Sequence, residues 1–151
     1  MAERQHTVFD AAPLTDGEWA GWTQLRGGDP FEDFVGPFYF RDDPEAGPVC
    51  ALRLEPRHMN GSLTVHGGCL MTLADLSMFG IARRALDYAP AVTVTMTSEF
   101  VGPARAGDLV RATGDVVRAG NSLIFVRGLV SAEGAPALTF SGVIKKFRPA
   151  A

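Results

Sequence analysis

The chain has 151 residues, 46% hydrophobic and 21% charged, with a formal net charge of −3. That length and balance suit one soluble globular domain with a full core and give no sign of a second. An acidic chain with no basic stripe excludes nucleic acid as the main partner, because neutralising phosphates requires clustered Lys and Arg.

The opening "MAERQHTVFDAAPL" has no apolar core of signal-peptide length, which predicts a cytoplasmic protein. In "LTDGEWAGWTQL", Thr15 precedes Glu18 by three residues, a capping-box spacing that predicts a short helix over 16–25, ended by "RGGDP". Residues 1–34 therefore read as an N-terminal helix and lead-in, and 35–151 as the domain proper. "GPFYFRDD" and "VCALRLEP" are runs of aromatic and branched residues around the turn-rich "DDPEAGP", a first hairpin. Gly67-Gly68 then open a stretch of about 18 residues without Pro and rich in Leu, Met and Ala, which predicts a helix. Being apolar on nearly every side, it must be buried.

Beyond "DYAP" the period becomes two, with Val92, Val94, Met96, Ser98 and Phe100 on one face and Thr93, Thr95, Thr97 and Glu99 on the other. Three further strands follow, with turns at "AGNS" and "AEGAP". The order is helix, two strands, a long helix, then four strands in a meander. Without alternating βα units or internal repeats, an α+β fold is expected, one antiparallel sheet wrapped around one apolar helix.

Several chemistries lack their residues: there is no G-x-S-x-G elbow, no phosphate loop and no G-x-G-x-x-G after a strand. His6, His58 and His66 lack zinc-ligand spacing, so no metal is expected. Cys50 and Cys69 have neither metal nor redox spacing, and Cys69 lies in an apolar run, so a reducing compartment is expected.

What remains is "HGG" at the helix start and Asp75 within it, the only charged side chain between Arg57 and Arg83. N–H groups of a first helical turn lack intrahelical partners and sit at the positive end of the dipole, so they can stabilise an oxyanion. The same tripeptide also fits a tight strand-to-helix turn capped by His66. Asp75 fits either a reactive carboxylate or a core carboxylate satisfied by hydroxyls and backbone amides. Gly67 and Asp75 are eight residues apart, about 12 Å along a helix at ~1.5 Å per residue, too far to grip one carbonyl. If both act, the site is composite, Gly67 of one chain facing Asp75 of a two-fold partner.

Asn60, His66-Gly67-Gly68, Asp75 and the strand "AVTVTMTSEFVGPARAGD", in that order, resemble the hotdog-fold acyl-CoA thioesterases of the PaaI-like group, relatives of the 4-hydroxybenzoyl-CoA thioesterases. The resemblance spans about 35 to 148. It implies a helix inside a curved antiparallel sheet, homodimers joined edge to edge, and tetramers as dimers of dimers. It implies further that Gly67 supplies the oxyanion N–H, Asn60 holds the water or substrate carbonyl, and His66 fixes the loop and helps polarise the thioester. Asp75 of the partner would act as general base or nucleophile, with Thr93 orienting water and carboxylate. The turn "RAGNSL", with Arg118, Gly120, Asn121, Ser122 and Leu123, would lie against coenzyme A, although Arg118 fits a plain surface charge equally well. The chain departs from the pattern at Leu63, where relatives usually have glycine, while Gly61 stands earlier. No cofactor is implied, since coenzyme A belongs to the substrate. The alternatives are a hotdog protein that binds acyl-CoA without cleaving it, which has no need of Asp75, and hydratase chemistry, for which no Asp/His pair is visible. Acyl length and aromaticity are not legible.

Overall fold

The structure is a computed structural model describing residues 8–147, so the residues around His6 and at the C-terminus lie outside it. Seven strands form one antiparallel sheet: β1 (Thr23–Leu25), β2 (Phe38–Asp43), β3 (Gly47–Arg53), β4 (Ala91–Phe100), β5 (Leu109–Ala119), β6 (Leu123–Ala132) and β7 (Ala135–Lys146). The helices are α1 (Pro30–Val35) and α2 (Gly67–Leu86). The α+β hotdog architecture expected from the sequence is present, with α2 held against the sheet.

Spatial order is β1-β2-β3-β5-β6-β7-β4. Only β5, β6 and β7 form a meander, so the expected run of four is corrected. At ~1.5 Å per residue a 20-residue helix spans about 30 Å, which carries the chain across the sheet before β4 begins. β4 therefore lands at the far edge, pairing only with β7, while β5 returns to pair with β3.

The helix expected over 16–25 is absent. Gly17 and Gly21 take left-handed backbone at φ 74° and 81°, which interrupts helical winding. Glu18 pairs with Arg53 instead of capping. Trp19 stacks on Tyr39 with ring centroids 3.7 Å apart, and Trp22 is buried with Tyr39, Val49 and Ala51. Aromatic packing on β2 thus overrides the local capping pattern, and the segment ends as β1. The helix instead starts where "RGGDP" was read as a stop. Asp29 Oδ1 accepts from the N–H groups of Phe31 (2.9 Å) and Glu32 (3.3 Å), with Pro30 in the first turn.

The core consists of one side of the sheet and three sides of α2. Leu70, Leu73, Met78, Val110, Ile124 and Leu138 are fully buried. Gly142 on β7 leaves room for the Met78 sulfur, and a Cβ there would collide with it. The helix is not buried all round, as its composition suggested. Gly68, Thr72, Asp75, Phe79 and Arg83, spaced by three or four residues and joined by the exposed Met71, form an open stripe along it.

Candidate active site

His66 caps α2: its Nδ1 accepts from the Gly68 N–H at 2.9 Å, which places the ring's remaining proton on Nε2. The Gly67 N–H has no partner among the described residues. A Cβ at Gly67 would stand 2.9 Å from the far end of the exposed ring of Phe100, the last residue of β4, so a larger residue there would push that ring aside and crowd the approach of a ligand.

Asp75 lies two turns further along, half-buried. Its Oδ1 accepts from Thr93 Oγ1 at 2.6 Å, and no hydrogen bond reaches its other oxygen among the described residues. The strict alternation expected for β4 would have put Thr93 on the same face as Thr95 and Thr97. A register shift between Thr93 and Thr95 resets the faces, so that Thr93, Met96 and Ser98 point inward while Val92 and Val94 are exposed. The bulge is what delivers the hydroxyl to the carboxylate.

Asn60 organises its own turn. Its Oδ1 accepts from the N–H groups of Ser62 (2.8 Å) and Thr64 (3.3 Å), and its Nδ2 donates to Thr64 Oγ1 at 3.0 Å. Leu63 sits in left-handed backbone at φ 59°, where glycine is unstrained. The conformation is the one that suits glycine, although the residue is leucine.

Arg118, Gly120, Asn121, Ser122 and Leu123 line one surface depression with Val117 and Phe125. Ile144 pairs with Thr93 on one side and Ile124 on the other, so this hairpin turn and the Asp75–Thr93 pair lie at the same end of the sheet.

Two cavities flank the open stripe. One of about 380 Å³ at the helix C-terminus is lined by residues including Phe9, Phe79, Arg83, Tyr88 and Ala91. The other, about 330 Å³, lies at the N-terminus between α1 and the residues His66, Gly68, Cys69 and Thr72. Sequence reasoning missed the α1 wall, because Asp29-Pro30, an N-cap followed by a first-turn proline, was read as a breaker. It also missed Glu32, half-buried on α1, whose carboxyl is pushed up to about 7 by burial first and then by the charges of Asp29, Asp75 and Asp33. Burial pushes the Cys69 thiol up to about 11, so it stays protonated and is no nucleophile near neutral pH. Cys50 is buried and free as well.

The long helix wrapped by one antiparallel sheet, with an unpartnered N–H at its start and a half-buried carboxylate two turns on, is the hotdog fold. The profile of the Thioesterase superfamily matches residues 64–137. A Pseudomonas aeruginosa protein bearing an esterase assignment is 36% identical over 106 residues, covering 70% of this chain and 79% of that one. Human acyl-coenzyme A thioesterase 13 is 30% identical over 99 residues, 63% of this chain and 68% of its own. Among solved structures, a mutant of the phenylacetic acid degradation protein PaaI from Thermus thermophilus superposes with a TM-score of 0.67 at 26% identity, covering 79% of this chain and 100% of that one. The chain belongs to the thioesterase superfamily, a class of thioester hydrolases. No described helix is long and apolar enough to cross a membrane.

Proposed function

We propose that this protein hydrolyses an acyl-CoA thioester to the free acid and coenzyme A at a site shared between two subunits. The observation that carries this reading is the placement of both reactive groups along one edge strand. Thr93 near the start of β4 holds Asp75, and Phe100 at its end covers Gly67. If two β4 edges pair antiparallel about a two-fold axis near Met96, Thr93 of one chain comes opposite Phe100 of the other. Asp75 of one subunit then faces Gly67 of its partner, which the ~12 Å between them on one helix forbids within a chain.

At such a site the Gly67 N–H, aided by the helix dipole, stabilises the oxyanion as water adds to the thioester carbon. Asp75, oriented by Thr93, takes the proton from that water; the C–S bond then breaks and the proton goes to the departing thiolate. Direct attack by Asp75, giving an anhydride that water cleaves, ends in the same products. His66 Nε2–H and the free amide hydrogen of Asn60 are further donors for the carbonyl or the water. The turn from Arg118 to Leu123 receives coenzyme A, with Lys145, opposite Leu123 on β7, a further cation at this end of the sheet. The reaction requires no metal or further cofactor. Two buried thiols suit a reducing cytoplasm.

Release of free thiol from a panel of acyl-CoA thioesters tests the reaction. Asp75→Asn keeps the shape but cannot take a proton or attack, so kcat should fall by about 10²-fold or more with KM little changed. Turnover by the variant at the wild-type rate would remove Asp75 from the mechanism. Tight binding of acyl-CoA without thiol release from the wild type would favour a binding protein instead.

A further inference from the structure

We infer that the cavity between α1 and the first turns of α2 takes the acyl group, and that this group is uncharged, apolar and of medium length. The inference rests on the acyl-CoA reading above and deepens it. The cavity begins at His66 and Gly68, beside the Gly67 N–H, so a thioester carbonyl held there directs its acyl chain into this space. Phe31, Phe34, Val35 and Met59 make the opposite wall. Phe31 and Phe34 are 62% and 77% exposed, two rings left in water at the mouth that an apolar ligand would cover.

The wall is anchored. Arg57 donates to the carbonyls of Phe34 (2.7 Å) and Gly36 and through Nε to Glu55 (2.8 Å), while His58 Nε2 donates to the Val35 carbonyl at 2.8 Å. With its guanidinium engaged in this way, Arg57 is a poor counter-ion for a carboxylated acyl group. Asp29 at the cap of α1, Asp33 on it and Asp75 on α2 all act on Glu32 of α1, so the surroundings of this wall are acidic and disfavour a carboxylated acyl group. The volume of about 330 Å³ lies at the lower end of small-ligand pockets, which run from ~300 to 1,000 Å³, so a medium-length group fills it and a long fatty chain would run out past its mouth. Every wall residue from Phe31 to Met59 precedes residue 64, where the superfamily match begins. The α1 side of the cavity thus lies outside the matched segment, while His66, Gly68, Cys69 and Thr72 lie within it.

The test compares kcat/KM for acetyl-, hexanoyl-, phenylacetyl-, palmitoyl- and glutaryl-CoA in the wild type, in Thr72→Phe, which fills the cavity from α2, and in the double variant Phe31→Ala/Phe34→Ala, which opens its mouth. Wild-type hexanoyl-CoA or phenylacetyl-CoA should exceed acetyl-, palmitoyl- and glutaryl-CoA by at least tenfold, and which of the two leads separates chain from ring. Both variants should reduce the ratio of the preferred substrate to acetyl-CoA by tenfold or more. Wild-type hydrolysis with that ratio unmoved in both, or a preference for palmitoyl- or glutaryl-CoA, overturns the inference and leaves the thioesterase reading standing. Binding to Asp75→Asn protein separates the two cases without turnover: hexanoyl-CoA should bind at least tenfold tighter than free CoA, and Thr72→Phe should abolish the difference. Equal binding of hexanoyl-CoA and CoA sinks the pocket assignment whether or not any thioester is cleaved.

Discussion

Thr93 and Asp75 share a hydrogen bond whose acceptor is a carboxylate, an interaction of about 1.5–3 kcal/mol. If Thr93 holds the carboxylate for attack, Thr93→Val keeps the branched shape on the strand and removes only the donor. The expected outcome is a tenfold or greater drop in kcat with KM little moved, read by thiol release; an unchanged kcat would reduce the bond to a structural one. Leu63 offers a different test. Its left-handed backbone costs a leucine about 1–2 kcal/mol, and the side chain is 73% exposed, so little packing is lost on truncation. Leu63→Gly should raise stability by about 1 kcal/mol in denaturant titration, and a destabilised variant would show that the exposed side chain has an uncounted contact.

At the scale of elements, α1 sets a negative helix beside a negative site. Glu32 has an ordinary value of 4.5 and is pushed to about 7, so the folded protein holds a proton between those pH values that the unfolded chain has released. Stability therefore falls as pH rises through that window, and the full penalty remains above 7. Glu32→Gln should raise Tm at pH 8, by the equivalent of about 1–2 kcal/mol once the shift is discounted for the water the half-exposed carboxyl keeps, and leave it nearly unchanged at pH 4. An equal shift at both pH values would mean that packing rather than charge is responsible. This element was the least legible. Its six residues carry no hydrophobic period of useful length, and its capping pair resembled a turn. The 20 residues of α2, by contrast, could be read from composition alone. β4 was half legible: its existence followed from alternation, but the bulge at Thr93–Thr95 that sets its faces answers to β7 and α2, not to local sequence.

For the whole molecule, β4 is a ten-residue edge with Val92 and Val94 exposed, a surface that pairing with a second copy would remove from aggregation. Complementation tests the shared site directly. Gly67→Pro removes the N–H where proline is tolerated, at the first helical position, and displaces only the exposed end of the Phe100 ring. Homodimers of that variant and of Asp75→Asn should each be nearly inactive. Mixed dimers hold one site with both lesions and one with neither, so activity should return to about half of wild type per dimer. No recovery in heterodimers confirmed by native mass spectrometry, or full wild-type activity in a monomer by light scattering, would overturn the trans arrangement.

By itself the amino-acid order determined the α+β class, the long apolar helix, the β2–β3 hairpin, the three strands after residue 108 and the candidates Gly67, His66 and Asp75. Each is written in local spacing: apolar period, turn residues, and a charge isolated among hydrophobic neighbours. Only the tertiary structure decided that β4 crosses to the far edge, that Thr93 rather than Val92 faces α2, that Trp19 and Trp22 prevent a helix, and that α1 walls a cavity beside His66. Those outcomes depend on which distant surfaces must be covered once helix and sheet are packed, and contacts between residues as far apart as Trp19 and Tyr39 or Ala91 and Lys146 leave no periodic trace in the chain.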